Sequence, residues 1–112
     1  MYDIPLQGVP QQLIETTLDG VDYAIQLRIA QGMTLADISA NGELIKAGVR
    51  CIPGKAIIPY DYLTRGGNFF WYCLNGDYPN YQYFETTQFL IYLSDAEIAA
   101  LNGADVTPET IA

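Results

Sequence analysis

Residues 11–30 have the sequence QQLIETTLDGVDYAIQLRIA, in which two runs of alternating apolar and polar residues flank Asp19-Gly20. This dipeptide favours a type I′ turn, because both central residues of that turn need positive φ. A two-residue turn pairs Leu18 with Val21 and puts the apolar residues of both runs on one face. Turn chemistry and alternation therefore agree on an antiparallel hairpin.

The same device recurs at Asn41-Gly42, where the runs 33–40 and 43–51 meet. We expect a second hairpin there. Continuous pairing from this turn predicts three cross-strand pairs: Ile38 with Ile45, Ala36 with Ala47, and Asp37 with Lys46.

Two further strands are predicted in the aromatic half of the sequence. Residues 69–75 have the sequence FFWYCLN, apolar on both faces, which predicts a strand that supplies core residues from both sides. Residues 87–93 predict the last strand, after an 11-residue loop from Gly76 to Thr86. Pro59 limits Ile57-Ile58 to a short edge strand or an extended segment.

The C-terminal end predicts one short helix. Ser94 and Glu97 have the spacing of a capping box, and Asn102-Gly103 is expected to end the helix. We predict an all-β fold, a small antiparallel β-sandwich or barrel of about seven short strands with a short C-terminal helix. One β domain covers residues 1–93, and a short helix and weakly structured tail cover 94–112.

Composition excludes several classes of function. The chain has 112 residues and a net charge of -8, which argues against duplex DNA, the RNA backbone or an anionic membrane as a simple electrostatic partner. No apolar run approaches 18 residues, and the N-terminus predicts no signal peptide. The five basic residues lie between positions 28 and 65, whereas residues 66–112 hold six acids and no base.

Little in the sequence suggests catalysis. The chain has no histidine, so the commonest general base and metal ligand is missing. Asp61, Asp77 and Glu85 lie near the aromatic half, but their spacing pairs no two of them. Cys51 and Cys73 are expected to be reduced and mostly buried. We therefore expect no enzyme, no metal and no cofactor.

The aromatic loop is the most unusual feature, since Tyr78, Tyr81, Tyr83 and Phe84 lie within seven residues. A protein interface, which favours such rings, is one interpretation. A satellite core formed by a loop folded back over the sheet is another. A sugar-binding platform that uses Tyr78, Tyr81 and Trp71 is a weaker alternative, because aromatic rings do not discriminate between ligand classes.

Three runs of the sequence resemble a known family. They are 32–42 (GMTLADISANG), 48–55 (GVRCIPGK) continuing through 58–62 (IPYDY), and 67–70 (GNFF), with IPLQ at 4–7 preceding them. Together they resemble the small baseplate plug proteins of contractile-tailed phages, first described for a cyanophage. The resemblance covers about residues 3–94. These runs are structural motifs, so they indicate a fold more than an activity.

The resemblance implies a virion component of the inner tail baseplate, near the hub and tube, assembled in the host cytoplasm. Its expected partners are hub, tube and neighbouring baseplate subunits, in multiple copies per particle, with no membrane and no sequence-specific nucleic acid. The alternative is a small carbohydrate-binding β module. We expect the partner contacts to come from the loop and the C-terminal segment, through Tyr78, Tyr81, Tyr83, Phe84, Ile98 and Leu101.

Overall fold

Two antiparallel sheets form the protein. The computed structural model describes residues 2–58 and 64–104, the last four by their backbone alone. Its elements are β1 (Tyr2–Ile4), β2 (Gln12–Leu18), β3 (Val21–Ala30), β4 (Met33–Ala40), β5 (Glu43–Arg50), β6 (Gly67–Cys73), β7 (Gln88–Ser94) and the helix α1 (Asp95–Ala104). One sheet has the order β2-β3-β4-β5 and the other β1-β7-β6. The predicted seven-stranded sandwich is confirmed, and the sheets do not close into a barrel.

Two-residue turns connect the four strands of the larger sheet. Asp19 and Gly20 have φ values of 51° and 79°, and Asn41 and Gly42 have 51° and 81°, as type I′ turns require. The pairing of Leu18 with Val21 continues without a slip to Gln12, which confirms the first hairpin. Gln31-Gly32 makes a third such turn, between β3 and β4, that the sequence did not single out.

The predicted pairing of β4 with β5 is wrong beyond the turn. Ile38 pairs with Lys46 instead of Ile45, and Ala36 pairs with Val49 instead of Ala47. Two register shifts interrupt the ladder, between Ala36 and Ile38 and between Ile38 and Ser39. Extra residues on β5 therefore displace every pair beyond Leu44, which alternation alone does not reveal.

The carboxylate of Asp37 accounts for part of this irregularity. It accepts a hydrogen bond from the Gly48 N–H at 2.7 Å, and Gly48 has a φ of 69°, which a glycine adopts readily. The predicted pair of Asp37 with Lys46 is wrong, because Arg28 on β3 binds Asp37 at 3.1 Å. The hydrogen bond from Arg28 is the main cause of a lowered Asp37 pKa.

An aromatic cluster joins the two sheets at the centre of the core. The Tyr23 ring of β3 meets Phe69 of β6 edge-on, with centroids 5.0 Å apart, and Phe69 lies 5.1 Å from Tyr92 of β7. All three rings are buried. The Tyr92 hydroxyl donates a hydrogen bond to the Asp19 carboxylate at 2.8 Å, so the first turn of the large sheet is bonded to the last strand of the small one.

Only one face of β6 belongs to the core, contrary to the expectation that both do. Phe69 and Trp71 are buried against the large sheet, whereas Tyr72 and Leu74 are more than half exposed. The reason is the two-layer architecture, since the outer face of the small sheet meets no third layer over this region among the described residues.

An extended segment protects the edge of β6. The N–H groups of Gly54 and Ile57 donate to the carbonyls of Trp71 and Phe69, each at 2.8 Å. The Asn68 side chain both donates to and accepts from the Ile58 backbone at 2.9 Å. The extended segment predicted at Ile57-Ile58 is confirmed, while the seventh strand proves to be the three-residue β1.

The capping box at the start of α1 is confirmed. The Ser94 N–H donates to the Glu97 carboxylate at 3.0 Å, and the Glu97 N–H donates to the Ser94 hydroxyl at 3.3 Å. The helix ends at Ala104, slightly later than expected. Residues 105–112, predicted as a tail, lie outside the described residues. No helix in the described ranges has the length and apolar character that crossing a membrane requires.

We predict that Gly67→Ala destabilises the fold by about 1–3 kcal/mol, because a Cβ at this position would overlap the Tyr92 ring. Thermal unfolding checks this. Gly8→Ala is the matched control, since its Cβ would sit at an ordinary 3.6 Å from the Tyr81 carbonyl. Equal unfolding temperatures for the two variants would contradict the prediction.

Candidate functional site

The aromatic loop between β6 and β7 is organised by one buried amide, that of Gln88. Its Oε1 accepts a hydrogen bond from the Asn80 N–H at 2.8 Å. Its Nε2 donates to the carbonyls of Tyr78 at 3.0 Å and Asp77 at 3.4 Å. Three backbone groups of the loop are therefore fixed by one side chain of β7. The role of Gln88 was not predicted from the sequence, although a lone glutamine beside an apolar run is a recognisable signal.

Further hydrogen bonds hold the loop to the sandwich. The Thr34 hydroxyl on β4 donates to the Pro79 carbonyl at 2.7 Å. The Asn80 side chain accepts from the Gln82 N–H at 3.0 Å and caps a single 3₁₀ turn, Tyr81–Tyr83. The loop thus has a defined backbone over the residues that carry its rings.

Two of the four rings belong to the core. Phe84 is 6% exposed and stacks on Trp71, with centroids 5.2 Å apart and an interplanar angle of 28°. Tyr81 is half-buried and packs against the main cluster. The satellite-core interpretation therefore describes these two residues, and Phe84 presents almost no surface in the isolated chain.

The other two rings face outward. Tyr78 is 54% exposed and Tyr83 is 46% exposed. The guanidinium carbon of Arg50 lies 4.6 Å from the centroid of the Tyr78 ring, in a cation–π arrangement. This contact ties the Tyr78 ring to the end of β5. The exposure of Tyr78 and Tyr83 therefore fits the interpretation of the loop as a protein interface.

A second group of exposed apolar side chains lies at the same end of the small sheet. Tyr72 is exposed on the outer face of β6, where its ring lies 6.4 Å from that of Phe89 on β7, and Leu74 is exposed directly after the end of β6. Their exposure was not predicted from the sequence, because both faces of this strand were expected to belong to the core. We call Tyr72, Leu74, Tyr78 and Tyr83 the aromatic surface.

The two candidate contact residues of the C-terminal segment, Ile98 and Leu101, lie on α1. Ile98 on α1 is half-buried, and α1 packs against β6 and β7. The side chain of Leu101 lies outside the described residues, so its contact stays a prediction.

The structure does not assemble a catalytic constellation from the candidate carboxylates that it describes. Asp77 and Glu85 are both exposed, and Asp61 lies outside the described residues. Burial, and then the nearby Asp3 charge, raises the pKa of Glu85. In the described ranges, no three residues of the ligand types histidine, cysteine, aspartate and glutamate are grouped to hold a metal ion.

Both cysteines are free thiols, as expected. Burial raises the pKa of Cys51 to about 12, and the Trp71 indole N–H beside the thiol is a smaller, opposing influence. Cys73 is half-buried, and burial and the Asp77 charge raise its pKa as well. Both environments stabilise the neutral thiol over the reactive thiolate.

The three-ring sugar platform is not formed. Trp71 is 1% exposed and lies between Phe84 and the core, so it offers no face to a ligand. Tyr78 and Tyr81 alone do not distinguish a sugar from any other apolar contact.

The chain was compared with known protein families and with curated proteins. A family model described as "Cyanophage baseplate Pam3 plug gp18" matches residues 1–95. No curated protein matches the chain.

We predict that a thiol reagent at pH 8 modifies Cys73 before Cys51. A pKa near 12 leaves so little thiolate that Cys51 should react about a thousandfold or more slowly than a free thiol. Timed alkylation with mass spectrometry measures both rates, and two equal rates are expected after denaturation. A native protein with no free thiols until reductant is added would contradict the assignment.

We predict that Gln88→Leu loosens the loop and destabilises the protein by about 1–3 kcal/mol, because it leaves the Asn80 N–H and the Tyr78 carbonyl without partners. Thermal unfolding and hydrogen exchange of the Asn80 amide measure this. Gln82→Leu, at an exposed position of the same loop, is the control. Unchanged protection of the Asn80 amide in Gln88→Leu would refute the role given to Gln88.

Proposed function

Because the chain belongs to the cyanophage baseplate plug family, we propose that its aromatic surface holds it in place against neighbouring subunits of the phage baseplate. Membership of the family implies a structural role in the baseplate of the virion. Proteins of this family are typically not enzymes. The specific contacts are the part that we propose.

The observation that carries the proposal is a rigid loop that presents exposed rings. Gln88 and Thr34 fix the backbone on both sides of Pro79, while Tyr78 remains half exposed. A partner that binds such a loop orders few additional groups, so less of the contact energy is lost to entropy. Tyrosine side chains often contribute a large share of the binding free energy at protein interfaces.

The neighbouring rings enlarge this surface. Tyr72 lies one residue before the end of β6, and Leu74 directly follows the strand, where the loop begins. Each of the four side chains of the aromatic surface is close to half exposed or more, and water solvates such apolar area poorly. The composition of the aromatic surface, mostly tyrosine, is typical of the buried centre of an interface.

The C-terminal segment supplies a second proposed contact. Helix α1 lies almost wholly beyond the residues that the family model matches. We place Ile98 and Leu101 of this helix in contact with a neighbouring subunit. The partners that we propose are the hub, the tube and adjacent baseplate subunits, with several copies of the chain in each particle.

Two properties of the chain support this placement. The free thiols suit assembly in the reducing host cytoplasm. The net charge of -8 disfavours adhesion to a passing genome, so sequence-specific contact with nucleic acid is not part of the proposal.

The test is incorporation of variants into particles. Tyr78→Ala combined with Tyr83→Ala should lower the free energy of unfolding by only about 1 kcal/mol or less, because both rings are exposed and the Arg50 contact with Tyr78 lies at the surface, and should reduce incorporation at least about tenfold. Complementation of a phage that lacks the protein, followed by quantification in purified tails, measures incorporation, and thermal unfolding measures stability. Leu44→Ala removes exposed apolar surface on β5 and is the control. Wild-type incorporation of the tyrosine variant would refute the proposed contact.

A further inference from the structure

The strand β2 forms a free edge of the larger sheet. Among the described strands it is the first in the order β2-β3-β4-β5, and within the described ranges it has a hydrogen-bonded neighbour on one side only. All seven of its residues pair with β3 without a register shift. Its edge is therefore straight and regular, which is the form that most readily accepts another strand.

The turn type determines which backbone groups point away from β3. A two-residue turn makes Leu18 and Val21 a hydrogen-bonded pair, so every second residue of β2 bonds inward. The N–H and C=O groups of Leu13, Glu15 and Thr17 consequently point to the free side. In the described part of the chain, no backbone or side-chain group makes a hydrogen bond to them. Six groups in one row are thus available.

The other described sheet edges are covered, irregular or short. The segment around Gly54 and Ile57 covers β6. The edge strand β5 carries the two register shifts, which twist a strand away from regular pairing. The strand β1 has three residues. Natural β proteins use these devices to block strand addition, and β2 has none of them.

A groove lies alongside the free edge. It has a volume of about 450 Å³, and Ile4, Pro5 and Gln7 line it together with residues 11–16. The inward-facing side chains of β2 that border it, Ile14 and Thr16, are only half-buried. The matching residues of the central strand β3, Tyr23 and Ile25, are fully buried. The core is therefore incomplete on the side where a further strand would lie.

We propose that β2 binds an extended segment of another protein, which adds as a fifth antiparallel or parallel strand beside it. Backbone groups of the segment would pair with Leu13, Glu15 and Thr17, and an apolar side chain would cover Ile14. A lysine or arginine of the segment would lie beside Glu15, the exposed acid at the middle of the edge. The surface is separate from the aromatic surface.

The charge of the edge disfavours a second copy as the occupant. A twofold-related pairing of two β2 strands about their middle residue places Glu15 opposite Glu15, and each chain carries a net charge of -8. Like charges directly opposite each other destabilise a strand pair. A segment of a different protein avoids this repulsion and supplies the complementary charge.

Hydrogen exchange tests the proposal on the wild-type chain. In the isolated protein, the amides of Leu13, Glu15 and Thr17 should exchange quickly, while those of Ile14 and Thr16 are protected by β3. In purified baseplates, the three outward amides should slow by about a hundredfold or more, as in a central strand. The amide of Leu44 on the edge strand β5, which points away from β4 by the same turn geometry, is the internal reference for a general effect of assembly.

A proline variant tests the same edge genetically. Glu15→Pro removes an outward N–H while the bonds to β3 remain, whereas Glu15→Ala retains the N–H. We expect Glu15→Pro to be incorporated into tails at least about tenfold less than Glu15→Ala. If Glu15→Pro does not fold, as judged by thermal unfolding, the exchange experiment on the wild-type chain decides.

This proposal rests on the proposed function in one respect, which is that baseplates are the assembly to examine. The experimental outcomes distinguish a failure of one proposal from a failure of the other. Absence of the chain from baseplates contradicts the proposed function and removes the strand partner as well. A chain that is present but whose outward β2 amides still exchange quickly overturns the strand proposal alone. Concentration-dependent protection of these amides in the isolated protein also overturns it, because the occupant is then a second copy.

Discussion

The structure depends on the contact between Tyr23, Phe69 and Tyr92, which holds the two sheets face to face. The Tyr92 hydroxyl bonds to Asp19 in the first turn, so residues 73 positions apart are joined at one point. Gly67 is required beside this cluster because the Tyr92 ring occupies the space of a side chain. Since a two-layer sandwich buries one face of each sheet, the other faces and the edges remain available for contacts.

The distribution of polar and apolar residues over those free surfaces is uneven. The outer face of the large sheet carries ion-paired residues such as Arg28 and Asp37. The outer face of the small sheet carries Tyr72 and Phe89, and the aromatic loop connects the two strands on which they lie. A buried glutamine, Gln88, gives that loop one conformation. A structural subunit needs surfaces of this kind, which are rigid, apolar and limited in area.

The sequence predicted most of the fold because local rules decided it. Asp19-Gly20 and the alternation around it determined a whole hairpin, and Ser94 with Glu97 determined the start of α1. The pairing of β5 could not be predicted, since the bulge involves bonds from Asp37 on β4 to Gly48 and Arg28 on the two neighbouring strands. Tyr78 and Tyr83 were identified from the density of rings, whereas the exposure of Tyr72 and the burial of Phe84 depend on which layer each face meets.

A structure of the assembled baseplate, at a resolution that shows side chains, tests most directly whether the aromatic loop contacts another subunit. We expect Tyr78 and Tyr83 to lose most of their exposed area to side chains of another subunit, while the backbone of the loop keeps the hydrogen bonds to Gln88. A baseplate in which this chain is present but both tyrosines remain open to solvent would show that these rings do not hold the protein in place.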